Sequence, residues 1–222
     1  TNELAARRVR QLGEDPAHIH VVGSPGLDHL RRRPLLDRAA LEASLGAPLG
    51  AHNLLVTFHP ATLDPSDGLA QFDELLAALE AQAPDTTIWI TEPNADTGGR
   101  SLTERMRAWA TQHPGRVRAH ASLGSLRYLS LMAQVDAVVG NSSSGLYEAP
   151  SFEVPTVNIG DRQRGRLAAT SVLHCAPERG AIESAIAQAL ALDCRGVVNP
   201  YGDGHSAPRI VACLRALASP QH

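Results

Sequence analysis

Short apolar runs that alternate with amphipathic stretches constrain this chain more than any other feature. The runs are Ile19 to Val22, Asn53 to Phe58, Thr87 to Thr91, Val117 to His120, Ala137 to Val139 and Thr156 to Ile159. Between and after them, Phe72 to Gln82, Leu102 to Gln112, Ser125 to Gln134, Ile182 to Leu192 and Ala207 to Leu217 carry apolar residues at helical spacing. Strands alternating with helices imply right-handed crossovers and a parallel sheet covered on both faces. The pattern predicts a doubly wound α/β domain, and 222 residues are enough to bury its core. Residues 2–18 fit a helix and a turn that belong to a neighbouring domain or linker.

The chain contains no lysine: all 20 of its basic Lys or Arg residues are arginine. A Schiff-base lysine, a P-loop lysine and a kinase lysine are therefore excluded. Arginine remains, and its rigid fork suits phosphate oxygens. A formal net charge of -3 gives no electrostatic basis for a nucleic-acid or anionic-membrane partner. No apolar run reaches the roughly 18 residues that a membrane span needs. Cys175, Cys194 and Cys213 form neither a CxxC pair nor a metal-finger spacing, and read as small buried hydrophobes. The histidines are scattered without metal-ligand spacing. A start at Thr1-Asn2-Glu3 reads as the edge of a fragment or a processed product.

Ligands of open parallel sheets gather beyond the carboxyl ends of the strands, so the polar residues there are the candidates. Gly23-Ser24-Pro25-Gly26 follows the first run, as a tight turn or a ligand loop. It is not GxGxxG, and a nicotinamide-dinucleotide fingerprint is unsupported. His59, in Thr57-Phe58-His59-Pro60, is either a locally satisfied histidine or a pocket group that donates to phosphate or relays a proton. Asn94 and Asp96 suit a turn, or the edge of a sugar or nucleotide; His120 is open in the same way.

The densest signal is Gly140-Asn141-Ser142-Ser143-Ser144-Gly145-Leu146-Tyr147-Glu148. A strand runs into small hydroxyl residues and then a short helix, which either caps itself with serine or cradles phosphate without lysine. Glu148 can accept both hydroxyls of a ribose. Arg162, Arg164 and Arg166 are either a solvated charge run or a grip on a diphosphate. Together these loops describe a site for a nucleoside diphosphate. The competing Ser/His/acid hydrolase lacks GxSxG, and His59, Asp161 and Ser143 have no supporting spacing.

The stretches VTFHP around His59, PNAD at Pro93 to Asp96, HASLGSLRYLSLM from His120, GNSSSGLYEAPSFEVPTVNIGDRQRGR from Gly140 and NPYGDGHSAPRI from Asn199 resemble the hydrolysing UDP-N-acetylglucosamine 2-epimerases. The branch serving sialic and legionaminic acid synthesis is the most similar; NSSSG and DRQRGR stand where non-hydrolysing epimerases carry Ser-Gly-Gly and Glu-Arg-Pro. The resemblance implies one Rossmann-like lobe of a GT-B-type two-domain enzyme. Residues 1–18 would be a remnant of the N-terminal domain or a linker helix, 19–204 the UDP-binding domain, and 205–222 a crossover helix and tail.

It further implies conversion of a UDP-linked 2-acetamido sugar to a free N-acetylmannosamine-type sugar and UDP, through a 2-acetamidoglucal. His59 would act on the leaving-group side, Asn94 and Asp96 would line the nucleotide, and His120 would lie near uracil. Ser142 and Ser143 would hold the diphosphate, Glu148 the ribose and Arg162 the departing charge. No cofactor or metal is expected, nor any nucleic-acid or membrane partner. The expected setting is cytoplasmic, with a homo-oligomer formed by the full-length protein. Carboxylates of an N-terminal domain would complete the chemistry, so this lobe alone would bind UDP weakly and catalyse poorly.

Overall fold

The computed structural model describes residues 1–32, 34–60, 68–94 and 98–216. In chain order the helices are α1 (Glu3–Gln11), α2 (Asp28–Arg32), α3 (Arg38–Leu45), α4 (Leu69–Glu80), α5 (Gly99–Gln112), α6 (Gly124–Met132), α7 (Ser144–Tyr147), α8 (Arg179–Ala191) and α9 (Ser206–Ala216). The strands are β1 (His52–Thr57), β2 (Thr86–Thr91), β3 (Val117–His120), β4 (Ala137–Gly140), β5 (Thr156–Ile159) and β6 (Val172–Cys175). Packing divides the chain into two compact units, Thr1–Pro34 with Asn199–His222, and Leu35–Val198. The resemblance draws its lobe boundaries instead at 18/19 and 204/205.

The larger unit holds one parallel sheet in the order β3-β2-β1-β4-β5-β6. Alternate residues of the strands point to opposite faces. Leu54, Val56, Ile88, Ile90, Val139, Val157 and Ile159 pack with Phe72, Leu75 and Leu79 of α4, Leu102 and Met106 of α5, and Ile182 and Ile186 of α8. Leu55, Trp89 and Val138 enter a second core with Leu41 of α3 and Leu131 and Met132 of α6. Both faces are thus covered, and the fold is the expected Rossmann-like α/β lobe.

Two elements of this unit lie outside the runs read from sequence. Helix α3 starts at Asp37, whose Oδ1 accepts from Ala40 N at 2.8 Å, and stops at Gly46 with φ +70. Both signals stand in the sequence. Strand β6 is an edge strand of four residues, too short for periodicity to reveal, and it exists because β5 offers it a ladder. Arg116 joins the end of α4 to the start of β2. Its guanidinium donates to the carbonyls of Leu79 at 2.9 Å, Gln82 at 2.8 Å, and Glu80 and Thr86 at 3.2 Å each.

The smaller unit contains no strand among its described residues, so the strand expected at Ile19 to Val22 does not form. That segment runs between turns at Pro16–His18 and Pro25–Leu27, and no strand among the described residues pairs with it. The turn after it serves packing: a side chain on Gly23, at φ +88, would stand 2.8 Å from Ser206 Oγ, and Ser24 N donates to Tyr201 O at 2.7 Å. The Asp28 carboxylate accepts from Ala207 N at 2.6 Å and Ser206 N at 2.9 Å at the start of α9. These bonds hold Asp28 below the usual carboxylate range.

Candidate functional site

β1 lies between β2 and β4, where successive crossovers turn in opposite directions. A crevice beyond the carboxyl ends of β1 and β4 is the general consequence of that topology. His59 follows β1 and the serine turn follows β4, so both stand at the switch point.

Asn141, the first residue after β4, ties three loops together. Its buried side chain accepts from His59 N at 2.7 Å and donates to His59 O at 2.8 Å. Its own N–H donates to Thr57 O at 3.1 Å. Its carbonyl accepts from Gln163 Nε2 at 2.7 Å and from Arg162 Nη1 at 3.2 Å, which brings in the loop after β5. The approach needs glycine at 140: with φ +136, a Cβ there would drive into the Thr57 carbonyl.

His59 Nδ1 accepts from Asn94 N at 3.1 Å. An N–H can only be received on a lone pair, so this bond selects the neutral tautomer with hydrogen on Nε2. His59 is thereby set as a donor through Nε2. Asn94 contributes its backbone to this contact and is exposed, while Asp96 lies outside the described residues.

Ser143, at the cap position of α7, makes no side-chain capping bond. Ser142 Oγ instead receives Ser144 N at 3.4 Å and Ser144 Oγ at 3.1 Å, and Tyr128 OH meets Ser144 Oγ at 2.6 Å. Burial pushes the Tyr128 phenol up, and its hydrogen bonding with Ser144, and then with the neighbouring Thr57 and Ser142 hydroxyls, opposes this only in part. Gly145 keeps the turn close to β5, since a Cβ would lie 2.5 Å from Thr156 Cγ2.

Glu148 is half-buried just beyond the turn, and desolvation pushes its carboxyl up to about 7. Arg162 alone of the three arginines joins Asn141. Arg164 faces Asp161 at 3.6 Å, and Arg166 stacks over Tyr147 with its guanidinium carbon 5.8 Å from the ring centre. His120 ends the edge strand β3, about 10 Å across the sheet from β1 at normal strand spacing. It stacks on Trp89 with ring centres 6.0 Å apart, and its buried Nε2 has no partner among the described residues. Burial, then the charges of Arg127 and Arg118, lowers its pKa.

Hydrogen bonds through Asn141 and His59 thus join the His59, Asn94 and Arg162 loops at the start of the serine turn, with Glu148 following that turn in the chain and His120 on the outer strand. Asn141, Gln163 and Tyr128 were not singled out from sequence. Asn141 was signalled only by its place immediately after a strand, and Tyr128 by nothing short of the fold. Among the described residues, no group of three His, Cys, Asp or Glu is disposed to hold a metal ion.

A family model described as UDP-N-acetylglucosamine 2-epimerase matches residues 1–215. The chain is 32% identical over 173 residues to GDP/UDP-N,N'-diacetylbacillosamine 2-epimerase (hydrolyzing) of Campylobacter jejuni, covering 78% of this chain and 45% of that protein. It is 35% identical over 182 residues to polysialic acid biosynthesis protein P7 of Escherichia coli, covering 82% and 46%. The chain therefore spans about half the length of these curated relatives. Among solved structures, the UDP-GlcNAc 2-epimerase of Neisseria meningitidis bound to UDP-GlcNAc is similar with a TM-score of 0.71 at 16% identity, over 97% of this chain and 60% of that one. A UDP-N-acetylglucosamine 2-epimerase from Listeria monocytogenes gives 0.75 at 19% identity, over 97% and 58%.

Proposed function

Because the chain belongs to the UDP-N-acetylglucosamine 2-epimerase family, we propose that it is the nucleotide-holding lobe of a hydrolysing epimerase acting on a UDP-linked 2-acetamido sugar. The observation that carries this reading is the Asn141 hub, which fastens the His59, serine and Arg162 loops at the switch point. In the reaction, a base takes the C2 proton and the C1–O bond breaks with its electron pair leaving on UDP. The resulting 2-acetamidoglucal takes hydroxide from water at C1 and a proton on the opposite face of C2. The products are an N-acetylmannosamine-type sugar and UDP.

Negative charge grows on the β-phosphate as UDP leaves, so donors fixed there favour the transition state over the ground state. Ser142, Ser143 and Arg162 fill that role, and His59 Nε2–H donates on the same side. Glu148 accepts the ribose hydroxyls, Asn94 lines the nucleotide, and His120, stacked on Trp89, faces uracil. A second lobe supplies the carboxylates for C2, and residues 1–18 and 205–222 serve that lobe.

Two similar proteins, one named a hydrolysing N,N'-diacetylbacillosamine 2-epimerase and the other a polysialic acid biosynthesis protein, support a 2-acetamido sugar as substrate; we assign its product to the synthesis of sialic- or legionaminic-type acids. No described helix is long and apolar enough to cross a membrane, and Cys175, Cys194 and Cys213 are unpaired, which fits a reducing cytoplasmic setting. Calorimetry should show saturable UDP binding to the 222-residue chain, lost in the Ser142→Ala/Ser143→Ala variant. With its second lobe, the protein should turn UDP-GlcNAc or its diacetamido-trideoxy analogue into free sugar and UDP, followed by NMR. An epimerised UDP-sugar as product would move the protein to the non-hydrolysing branch, and a lack of UDP binding would remove the nucleotide reading itself.

A further inference from the structure

The serine turn carries a direction that its composition does not. A hydroxyl has one hydrogen to give. Ser144 Oγ spends its hydrogen on Ser142 Oγ at 3.1 Å, so at its 2.6 Å contact with Tyr128 it must accept, and the phenol must donate. Ser142 Oγ then receives two donors, the Ser144 hydroxyl and the Ser144 N–H at 3.4 Å. With both incoming bonds on its lone pairs, its own hydrogen is left to point elsewhere.

We propose that Tyr128 is a positioning residue that orders this chain of hydroxyls, so that Ser142 presents its O–H, rather than a lone pair, to a phosphate oxygen of the nucleoside diphosphate. The proposal rests on the nucleotide-binding reading above. The phenol is a good anchor for three reasons. It sits on α6, which packs against the sheet through Leu131 and Met132. Burial keeps it protonated, so it remains a donor at any ordinary pH. Hydrogen bonds in series also polarise one another, so the outermost O–H becomes a stronger donor to an anion. Without the phenol, the Ser144 hydroxyl can turn round, and Ser142 can meet the ligand with a lone pair.

The test compares UDP with uridine, which shares the base and ribose but has no phosphate. Both are titrated calorimetrically into the 222-residue chain and into Tyr128→Phe, Ser144→Ala, Ser144→Thr and the Tyr128→Phe/Ser144→Ala double variant. Loss of one ordered donor to a charged oxygen should weaken UDP roughly 10-fold in Tyr128→Phe and in Ser144→Ala, with uridine changed less than about 2-fold. The double variant should be no worse than either single one, and Ser144→Thr, which keeps a hydroxyl, should bind UDP like the parent. Equal weakening of UDP and uridine would mean general disruption and overturn the proposal, as would losses that simply add. If Tyr128→Phe does not fold, the Ser144→Ala and Ser144→Thr pair decides by the same criteria. A parent chain that binds no UDP overturns the nucleotide reading and the proposal with it. A parent that binds UDP with Tyr128→Phe unchanged overturns the proposal alone.

Discussion

Replacing Glu148 by Gln should stabilise the protein at alkaline pH and leave it nearly unchanged in acid. The Glu148 carboxyl titrates at about 7 in the folded chain, against an ordinary value of 4.5, because burial disfavours its charged form. Between those two values the folded state holds a proton that the unfolded state has lost. Stability is therefore fully present below pH 4.5, falls as pH rises through 7, and is level above it. A separation of about 2.5 pH units corresponds to at most about 3 kcal/mol. Glutamine is uncharged throughout, so Glu148→Gln should escape that loss.

Urea unfolding of both proteins at pH 5, 6, 7 and 8.5 isolates the effect, since every other titrating group is common to the pair. The free-energy difference should widen in favour of Glu148→Gln by about 2–3 kcal/mol across the series. A difference that stays constant with pH would refute the desolvation argument. UDP binding should carry the opposite trend. A carboxylate that accepts two ribose hydroxyls must be ionised, so parental affinity should rise up to about pH 7 and then level. Glu148→Gln should bind more weakly, without that rise.

Asn141→Ala removes two hydrogen bonds to His59 and should cost about 2–3 kcal/mol in urea unfolding, together with UDP affinity. Asn141→Asp, which can accept from His59 N but cannot donate to His59 O, should be little better than alanine; wild-type behaviour would show that the clamp is unimportant. Arg116→Lys keeps the charge but loses the planar fork that reaches four carbonyls, and should lower stability by about 1–2 kcal/mol, read from the urea midpoint.

Most of the fold was legible in the sequence because its signals are local. Five of the six strands and the helices α4, α5, α6, α8 and α9 follow from apolar spacing, which needs only one face of an element to be buried. The strand expected at Ile19 to Val22 failed for the complementary reason. Extended, apolar residues make a strand only where another strand supplies hydrogen bonds, and β6 shows the converse: an unremarkable four-residue segment becomes a strand beside β5.

The site divides along the same line. The serine turn, Glu148 and His59 were visible as small or polar residues at strand ends, and the absence of lysine already directed any phosphate toward arginine, serine and backbone N–H groups. The divergence of Arg164 and Arg166 from Arg162 was not visible, because side chains close in sequence on a loop need not share a direction. Nor were the roles of Asn141 and Tyr128, which are separated from their partners His59 and Ser144 by 82 and 16 positions. Composition and periodicity settle which residues are buried and which stand at a strand end. Strand order alone settles which strand ends are neighbours, and hydrogen bonds between those neighbours set the direction in which each donor points.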